Sequence, residues 1–216
     1  MSDGFAQMID RAVAFFTDLA ANNTKDWFDP HKSAYIADIR KPAELLADLL
    51  AEDLARLTGT PHKPKVLRIY RDVRFSRDKS PLNPHLHITW APATPGPTFL
   101  FGVAPTYTLF GLGRFQMDPA QLTAYRSHID RHGDRVEQAL DTARTIHADF
   151  ADWDTPPFKR VPKPYAADHP HADLLRRKSF TLSAPLTPGW RKAGLLTTLN
   201  RMIPALLPIR CELSAV

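Results

Sequence analysis

From Ser80 to Gly113 the chain runs for 34 residues without one charged side chain. Pro81, Pro84, Pro92, Pro95, Pro97 and Pro105 all fall inside that run. Each removes a backbone donor and blocks a continuous helix. No part of the run reaches the roughly 20 unbroken apolar residues of a membrane-spanning helix. Short strands joined by tight connections satisfy both constraints, so the segment is read as sheet. Strands are expected at 85–91 (HLHITWA), 98–104 (TFLFGVA) and 106–115 around FGLGRF. Their short connections hold Pro and Gly, which favours an antiparallel meander over parallel strands with helical crossovers.

Helical periodicity brackets this sheet. Residues 5–20 place Phe5, Met8, Ile9, Ala12, Phe16 and Leu19 on one face. Asp29-Pro30 reads as an N-cap and first-turn proline of a second helix that ends near Gly59 and is kinked or split at Pro42. Asp118-Pro119-Ala120-Gln121 has the spacing of a capping box. The helix it opens is expected to break at His132-Gly133-Asp134 and resume to about residue 149, although the apolar spacing also fits one long helix. Residues 151–170 read as proline-rich loop, followed by a short helix from Pro170, a strand at 178–183 and a last helix capped by Thr187-Pro188. Helices, then strands, then helices predict an α+β fold. At 216 residues the chain has the length of one ample domain. It is read as N-terminal helices over about 5–57, a mainly antiparallel sheet over about 65–115 and a helical half over about 118–216.

Charge is concentrated rather than spread. The segment 65–79 holds Lys65, Arg68, Arg71, Arg74, Arg77 and Lys79 against Asp72 and Asp78, so six minus two gives +4, while the whole chain carries +5. A basic segment in an otherwise near-neutral chain favours an anionic partner: phosphate, carboxylate or nucleic acid. Residues 65–76 alternate, with Leu67, Ile69, Val73 and Phe75 on one side and Arg68, Tyr70, Asp72, Arg74 and Ser76 on the other, which predicts a strand. Asp72 and Arg74 would then project the same way about 6.6 Å apart, able to share a ligand or to pair with each other. Arg71 would fall on the apolar face, where its charge demands a carboxylate partner or a bulge. Asp78 in the following SRDKSP is placed to form an Asx-turn.

Other chemistries leave weaker marks. There is no glycine-rich phosphate loop, no GxSxG elbow and no HExxH or paired CxxC. FGLGRF lacks the third glycine of a dinucleotide fingerprint and reads as a place where backbone approaches backbone. His85 and His87, and the group Asp168, His169 and His171, raise a metal only through nonspecific spacing, so neither a metal nor a cofactor is expected. Cys211, the single cysteine, excludes an intramolecular disulfide and reads as a buried, inert thiol. The N-terminus has Asp3, Asp10 and Arg11 within its apolar pattern and no signal-type apolar core, which with the lone cysteine predicts a cytoplasmic protein. Tyr70, Phe75 and Trp90 near the basic segment raise single-stranded nucleic acid as a further partner.

These residues resemble a known family, the bacterial and fungal domain of unknown function 2461. The resemblance rests on Asn22-Asn23 with Trp27-Phe28 and Tyr35, on RIYRDVRFSRDKSP at 68–81, on RVPK at 160–163, and on Asp168-His169-Pro170 with Leu175 and Lys178. It carries no established activity. It does imply that the 68–81 motif and the cluster of Lys163 and Asp168-His169-Pro170 are joint hallmarks that meet in space, which would offer Arg71 or Arg74 a carboxylate from the second cluster. The chain departs from the family at Leu82, Asn83 and Pro84, where an aromatic residue and a lysine are usual, and at His87, where glycine is usual.

The expected function is therefore binding of a small, phosphate-bearing anion. Arg68, Arg74 and Lys79 would hold it, with Arg71, Ser76 and Lys163 contributing, and Asp72 and Asp78 would orient the cations. His169 with Asp168 is the candidate proton-transfer pair if the protein is an enzyme. The rival expectation is an interaction module in which the same charges form a structural salt-bridge network.

Overall fold

The structure is a computed structural model that describes residues 4–74, 76–187 and 189–216. The helices at the start of the chain are α1 (Gly4–Ala21), α2 (Lys25–Tyr35) and α3 (Lys41–Thr58), with a π-helical turn at Ile36–Arg40 between the last two. Strands β1 (His62–Val66), β2 (Leu86–Pro92), β3 (Thr98–Ala104) and β4 (Tyr107–Arg114) follow. Then come α4 (Pro119–Arg144), β5 (Asp149–Phe150), α5 (Ala172–Leu175), β6 (Phe180–Pro185), α6 (Trp190–Ala193) and α7 (Leu195–Ser214). The six strands form one antiparallel sheet in the order β1-β2-β3-β4-β6-β5. The fold is α+β, with the meander of β2 to β4 that the charge-free run predicts. No helix among the described residues is long and apolar enough to cross a membrane.

Several boundaries move for identifiable reasons. The second helix starts at Lys25, because Thr24 caps it by accepting from the Trp27 N–H at 3.2 Å. Asp29 and Pro30 therefore lie inside α2 rather than at its cap. At Pro42 the helical backbone is not interrupted: a π-helical turn joins α2 to α3, with Arg40 and Lys41 both right-handed, Pro42 occupies the first turn of α3, and α3 closes on Gly59 in the left-handed region (φ 68°). Asp118 and Gln121 form the reciprocal capping box, and α4 is interrupted at His132 (φ −136°, ψ 21°). That helix ends at Arg144 rather than 149, followed by His147 at φ 60° and by β5, which the sequence reading did not foresee. The late segments shift by two residues, with α5 beginning at Ala172 and β6 running to Pro185. Phe75, assigned to the core from its alternation, and Pro188, half of the expected last cap, lie outside the described residues, as does Asp3. Cys211 is exposed, contrary to expectation, because the turn of α7 that buries Ile209, Glu212 and Leu213 leaves it facing outward.

The chain packs into two compact units. The first comprises Met1–Trp90, Leu100–Phe110 and Pro185–Arg201. Its core is the apolar face of α1 (Phe16, Leu19) against that of α3 (Leu46, Leu50, Leu54), with Trp90, Phe101 and Phe110 from the strands, all fully buried. The Trp90 indole donates to the Ala47 carbonyl at 2.8 Å, so its one polar group is satisfied in the core. Phe15 gathers the rings of Trp27, Phe28 and Tyr35 at centroid distances of 5.6, 6.3 and 5.4 Å.

The second unit comprises Ala91–Phe99, Gly111–Ala184 and Met202–Val216. Its core includes Leu112, Tyr125, Ile129, Leu140, Phe180, Leu182, Leu206 and Ile209. Buried Glu212 accepts from His128 at 2.8 Å and Arg135 at 2.6 Å. Burial works to raise its pKa, but these two hydrogen bonds outweigh that and hold it below the ordinary carboxylate value. The glycines of FGLGRF mark a close backbone approach, as their spacing predicts. A Cβ on Gly111 would stand 2.0 Å from the Leu182 carbonyl oxygen, and one on Gly113 would stand 2.6 Å from that of Phe180. Gly111→Ala must push these strands apart, and overpacking of this kind costs about 1–3 kcal/mol or more. Urea denaturation of the variant should show a lowered midpoint of that size, and an unchanged midpoint would mean the strand separation is soft.

Candidate functional site

The arginine-rich segment is not the strand its alternation predicts. Regular β1 ends at Val66, and the chain continues as a loose two-legged excursion that returns at β2. Its legs are tied by three backbone hydrogen bonds: Leu67 N–H to His87 O at 2.8 Å, Asn83 N–H to Ile69 O at 2.7 Å and Arg71 N–H to Pro81 O at 2.9 Å. These bonds set Tyr70 opposite Leu82 as an isolated antiparallel bridge, and residues 72–74 and 76–80 belong to the irregular tip.

In that pairing the N–H and C=O of Leu82 point away from Tyr70. Leu82 is fully buried, so both groups need partners. Asn23, just before α2, supplies them: its Oδ1 accepts from the Leu82 N–H at 3.1 Å and its Nδ2 donates to the Leu82 carbonyl at 2.9 Å. One amide side chain does what an adjacent strand would otherwise do.

The tip is closed by its own charges. Arg71 pairs with Asp78 through Nη1 and also reaches the Ser80 carbonyl at 3.3 Å and Ser76 Oγ at 3.5 Å. Arg74 grips Asp72 with Nε to Oδ1 at 3.0 Å and Nη2 to Oδ2 at 2.7 Å, the fork geometry suited to a carboxylate. Lys79 Nζ donates to the Val73 carbonyl at 3.0 Å. Asp78 makes the expected Asx-turn, its Oδ1 accepting the Ser80 N–H at 2.9 Å. Hydrogen bonds from Ser80 and then from Arg71 hold the Asp78 carboxyl far below its usual range, and Arg74 lowers that of Asp72. The carboxylates that meet Arg71 and Arg74 thus come from the same loop, seven and two residues away, and not from the 160–170 segment. A short loop closes at lower entropic cost than a long one.

A cleft of about 690 Å³ opens beside this excursion. Lys65, Arg68, Tyr70, Arg71, Asp72, Asn83, His85 and His87 line it. Three cations against one carboxylate leave a net +2. Arg71 and Asp72 are already paired. Among the described residues, no hydrogen bond or ion pair engages the Lys65 ammonium or the Arg68 guanidinium, although the Arg68 charge contributes to lowering the Asp72 carboxyl. Behind them the His85 ring stacks on His87 (centroids 4.1 Å, planes 23° apart), and His87 in turn lies parallel to Tyr107 at 6.1 Å, with Nε2 2.8 Å from the phenol oxygen. Gly102 makes room: a Cβ there would lie 2.9 Å from His87 Cδ2 and 3.2 Å from Tyr107 Cε2. Burial holds both imidazoles neutral, lowering His87 to about 4 and lowering His85 as well, with the Arg71 charge a second cause for His85.

Lys163, Asp168 and His169 belong to the second unit. His169 Nδ1 accepts the His171 N–H at 3.0 Å, which leaves the proton of the neutral ring on Nε2, 3.2 Å from Asp130 Oδ1. Its carboxylate partner is therefore Asp130 of α4 and not the adjacent Asp168. His171 faces Asp134 at 3.2 Å and lies against Gly133 at the α4 kink, where a Cβ would come within 2.0 Å of its ring. Among the described residues nothing pairs with the Asp168 carboxylate or the Lys163 ammonium, and no three His, Cys, Asp or Glu side chains converge as a metal site. Trp90, considered as a stacking platform, is fully buried, whereas Tyr70 is 41% exposed. Sequence reasoning missed Asp130, the His85–His87–Tyr107 stack and the task of Asn23. The alternation of His85 and His87 pointed toward the stack, and Asn22-Asn23 in the family resemblance pointed to Asn23 without its task.

A family model described as Conserved hypothetical protein (DUF2461) matches residues 11–210. The chain belongs to this family. The DUF2461 match contains both the 68–81 motif and Asp168-His169-Pro170. No curated protein and no solved structure matches the chain.

Two outcomes follow from this geometry. Asn23→Ala leaves the buried N–H and C=O of Leu82 unpaired, at about 1–3 kcal/mol for each, and hydrogen exchange should show the 68–83 legs opening before the rest of the first unit. His87 titrates near 4 in the fold and near 6.5 in the unfolded chain, so the unfolded state holds more protons between these values. The stability it contributes is present above pH 6.5 and is lost as pH falls toward 4, by up to about 3 kcal/mol. Melting curves should fall across that window, and His87→Gln should flatten the fall.

Proposed function

We propose that this protein binds a small anionic, phosphate-bearing ligand in the cleft between the arginine-rich excursion and the start of β2. The observation that carries the reading is the pair Lys65 and Arg68, two cations that line a concave site and have no hydrogen bond or ion pair among the described residues. The motif divides its labour. Asp72, Arg74, Ser76, Asp78 and Lys79 brace the tip, Arg71 spans tip and cleft, and Arg68 is the cation of the motif that lines the cleft without an ion pair among the described residues. A guanidinium is suited to phosphate because its planar donors match two oxygens at once. The second reading, an interaction module with a structural charge network, is favoured by the pairs within the tip, but it gives no task to Lys65 and Arg68.

The test is a thermal-shift and calorimetric panel of phosphate, sulfate, sugar phosphates, nucleotides and short oligonucleotides. A ligand at about 100 times its dissociation constant should stabilise the chain by about 2.7 kcal/mol. Arg68→Ala should stay folded and lose about tenfold or more in affinity, whereas Arg74→Ala should chiefly loosen the tip. Silence from every anion would overturn the reading in favour of the interaction module. Binding confined to oligonucleotides, falling steeply with log salt, would replace it with nucleic-acid recognition.

A further inference from the structure

His85, His87 and Tyr107 form a row of near-parallel rings, with centroid spacings of 4.1 and 6.1 Å. His87 is the middle ring, with a neighbour on each side. Tyr107 ends the row on β4, and His85 ends it at the cleft. The row is built into the sheet: His87 on β2 and Tyr107 on β4 flank Gly102 on β3, and any side chain at 102 would collide with both. Tyr70 lines the same cleft, held at its edge by Phe28 (centroids 5.8 Å, planes 83° apart), and 41% of it stays exposed. At about 690 Å³ the cleft has the size of sites that enclose whole organic molecules.

Resting on the anion-binding reading above, we infer that the ligand is a phosphate ester carrying a flat, neutral heteroaromatic ring, as in a nucleoside phosphate, with the ring completing the stack on His85 and the phosphate on Arg68 and Lys65. A neutral imidazole is the suitable last ring, since it offers its π-face and one donor or acceptor to a base without a charge to desolvate. Burial keeps His85 in that form. Asn83 reaches the same space, with Nδ2 on the Arg68 carbonyl at 3.3 Å and its Oδ1 meeting no donor among the described residues, so it can accept from an exocyclic amine.

The experiment compares adenosine 5′-monophosphate, ribose 5-phosphate, inorganic phosphate and a short oligoadenylate by calorimetry on the full chain. Adenosine monophosphate should bind about tenfold tighter than ribose 5-phosphate, the margin that base stacking on one side chain provides. His85→Ala should erase that margin while leaving ribose 5-phosphate affinity in place, and His85→Phe, which restores a ring, should recover it. Equal affinity for the two phosphates, or a margin untouched in a folded His85→Ala chain, overturns the inference while anion binding stands. No binding of any phosphate removes the underlying reading as well. Oligoadenylate binding at least as tightly as the mononucleotide with the same loss in His85→Ala supports the ring site and identifies a strand as its source, whereas a loss absent from that variant counts against it.

Discussion

Asn23 holds the geometry of the cleft through two hydrogen bonds to one residue. Among the described residues the excursion between β1 and β2 has three backbone rungs, and Leu82, the residue that anchors its returning leg in the core, faces away from Tyr70 across them. Without the Asn23 amide its N–H and C=O would be buried and unpaired, a larger penalty than the loss of any exposed ion pair in the loop. Because Asn23 stands in the short turn between α1 and α2, the first helices and the loop are fixed in the same step. Thr24 then caps α2, whose Phe28 meets Tyr70 edge to face. The wall of the cleft is thus set by helix packing as much as by the strand it leaves.

The charges within the tip have a different task. Arg74 with Asp72 and Arg71 with Asp78 are exposed or half-exposed pairs, and such pairs contribute little stability in water. Their value lies in geometry. Each spends a cation on a carboxylate of the same loop and so restrains a segment without regular hydrogen bonding. Arg71 illustrates the boundary between the two tasks, since its guanidinium lines the cleft while its donors are spent on Asp78, Ser76 and Ser80.

The elements legible in the sequence were those whose signals are local. The charge-free, proline-broken run translated directly into β2 to β4, and Asp118 with Gln121 into the capping box, because strand propensity and helix capping act over a few residues. The Gly pair in FGLGRF announced a close approach, although the partner strand β6 lies about seventy residues later and could not be named. The alternation of 65–76 misled because period two is necessary for a half-buried strand but not sufficient for one. Side chains that can satisfy one another across two to seven residues fold the segment back before a ladder forms. His169 misled in the same way: Asp168 is its neighbour in sequence, whereas the kink in α4 presents Asp130 instead. Cys211 was misjudged by composition, because an apolar neighbourhood in sequence says nothing about helix phase.

Neutral histidines beside a net positive cleft follow from burial first and from neighbouring charge second. An imidazolium at His85 would add a charge next to Arg71, inside a site already short of anions, and a second at His87 would face it at ring-stacking distance. Burial and neighbouring charge act in the same direction, and the neutral stack is the state of lowest energy while the cleft holds no anion. A dianion bound as proposed would offset the smaller of the two causes at His85, the Arg71 charge, while burial, the larger cause at both rings, would be unchanged or deepened. On the proposed reading, occupancy would be linked to the protonation of His85 through the Arg71 charge, whereas His87, governed by burial, would be less affected.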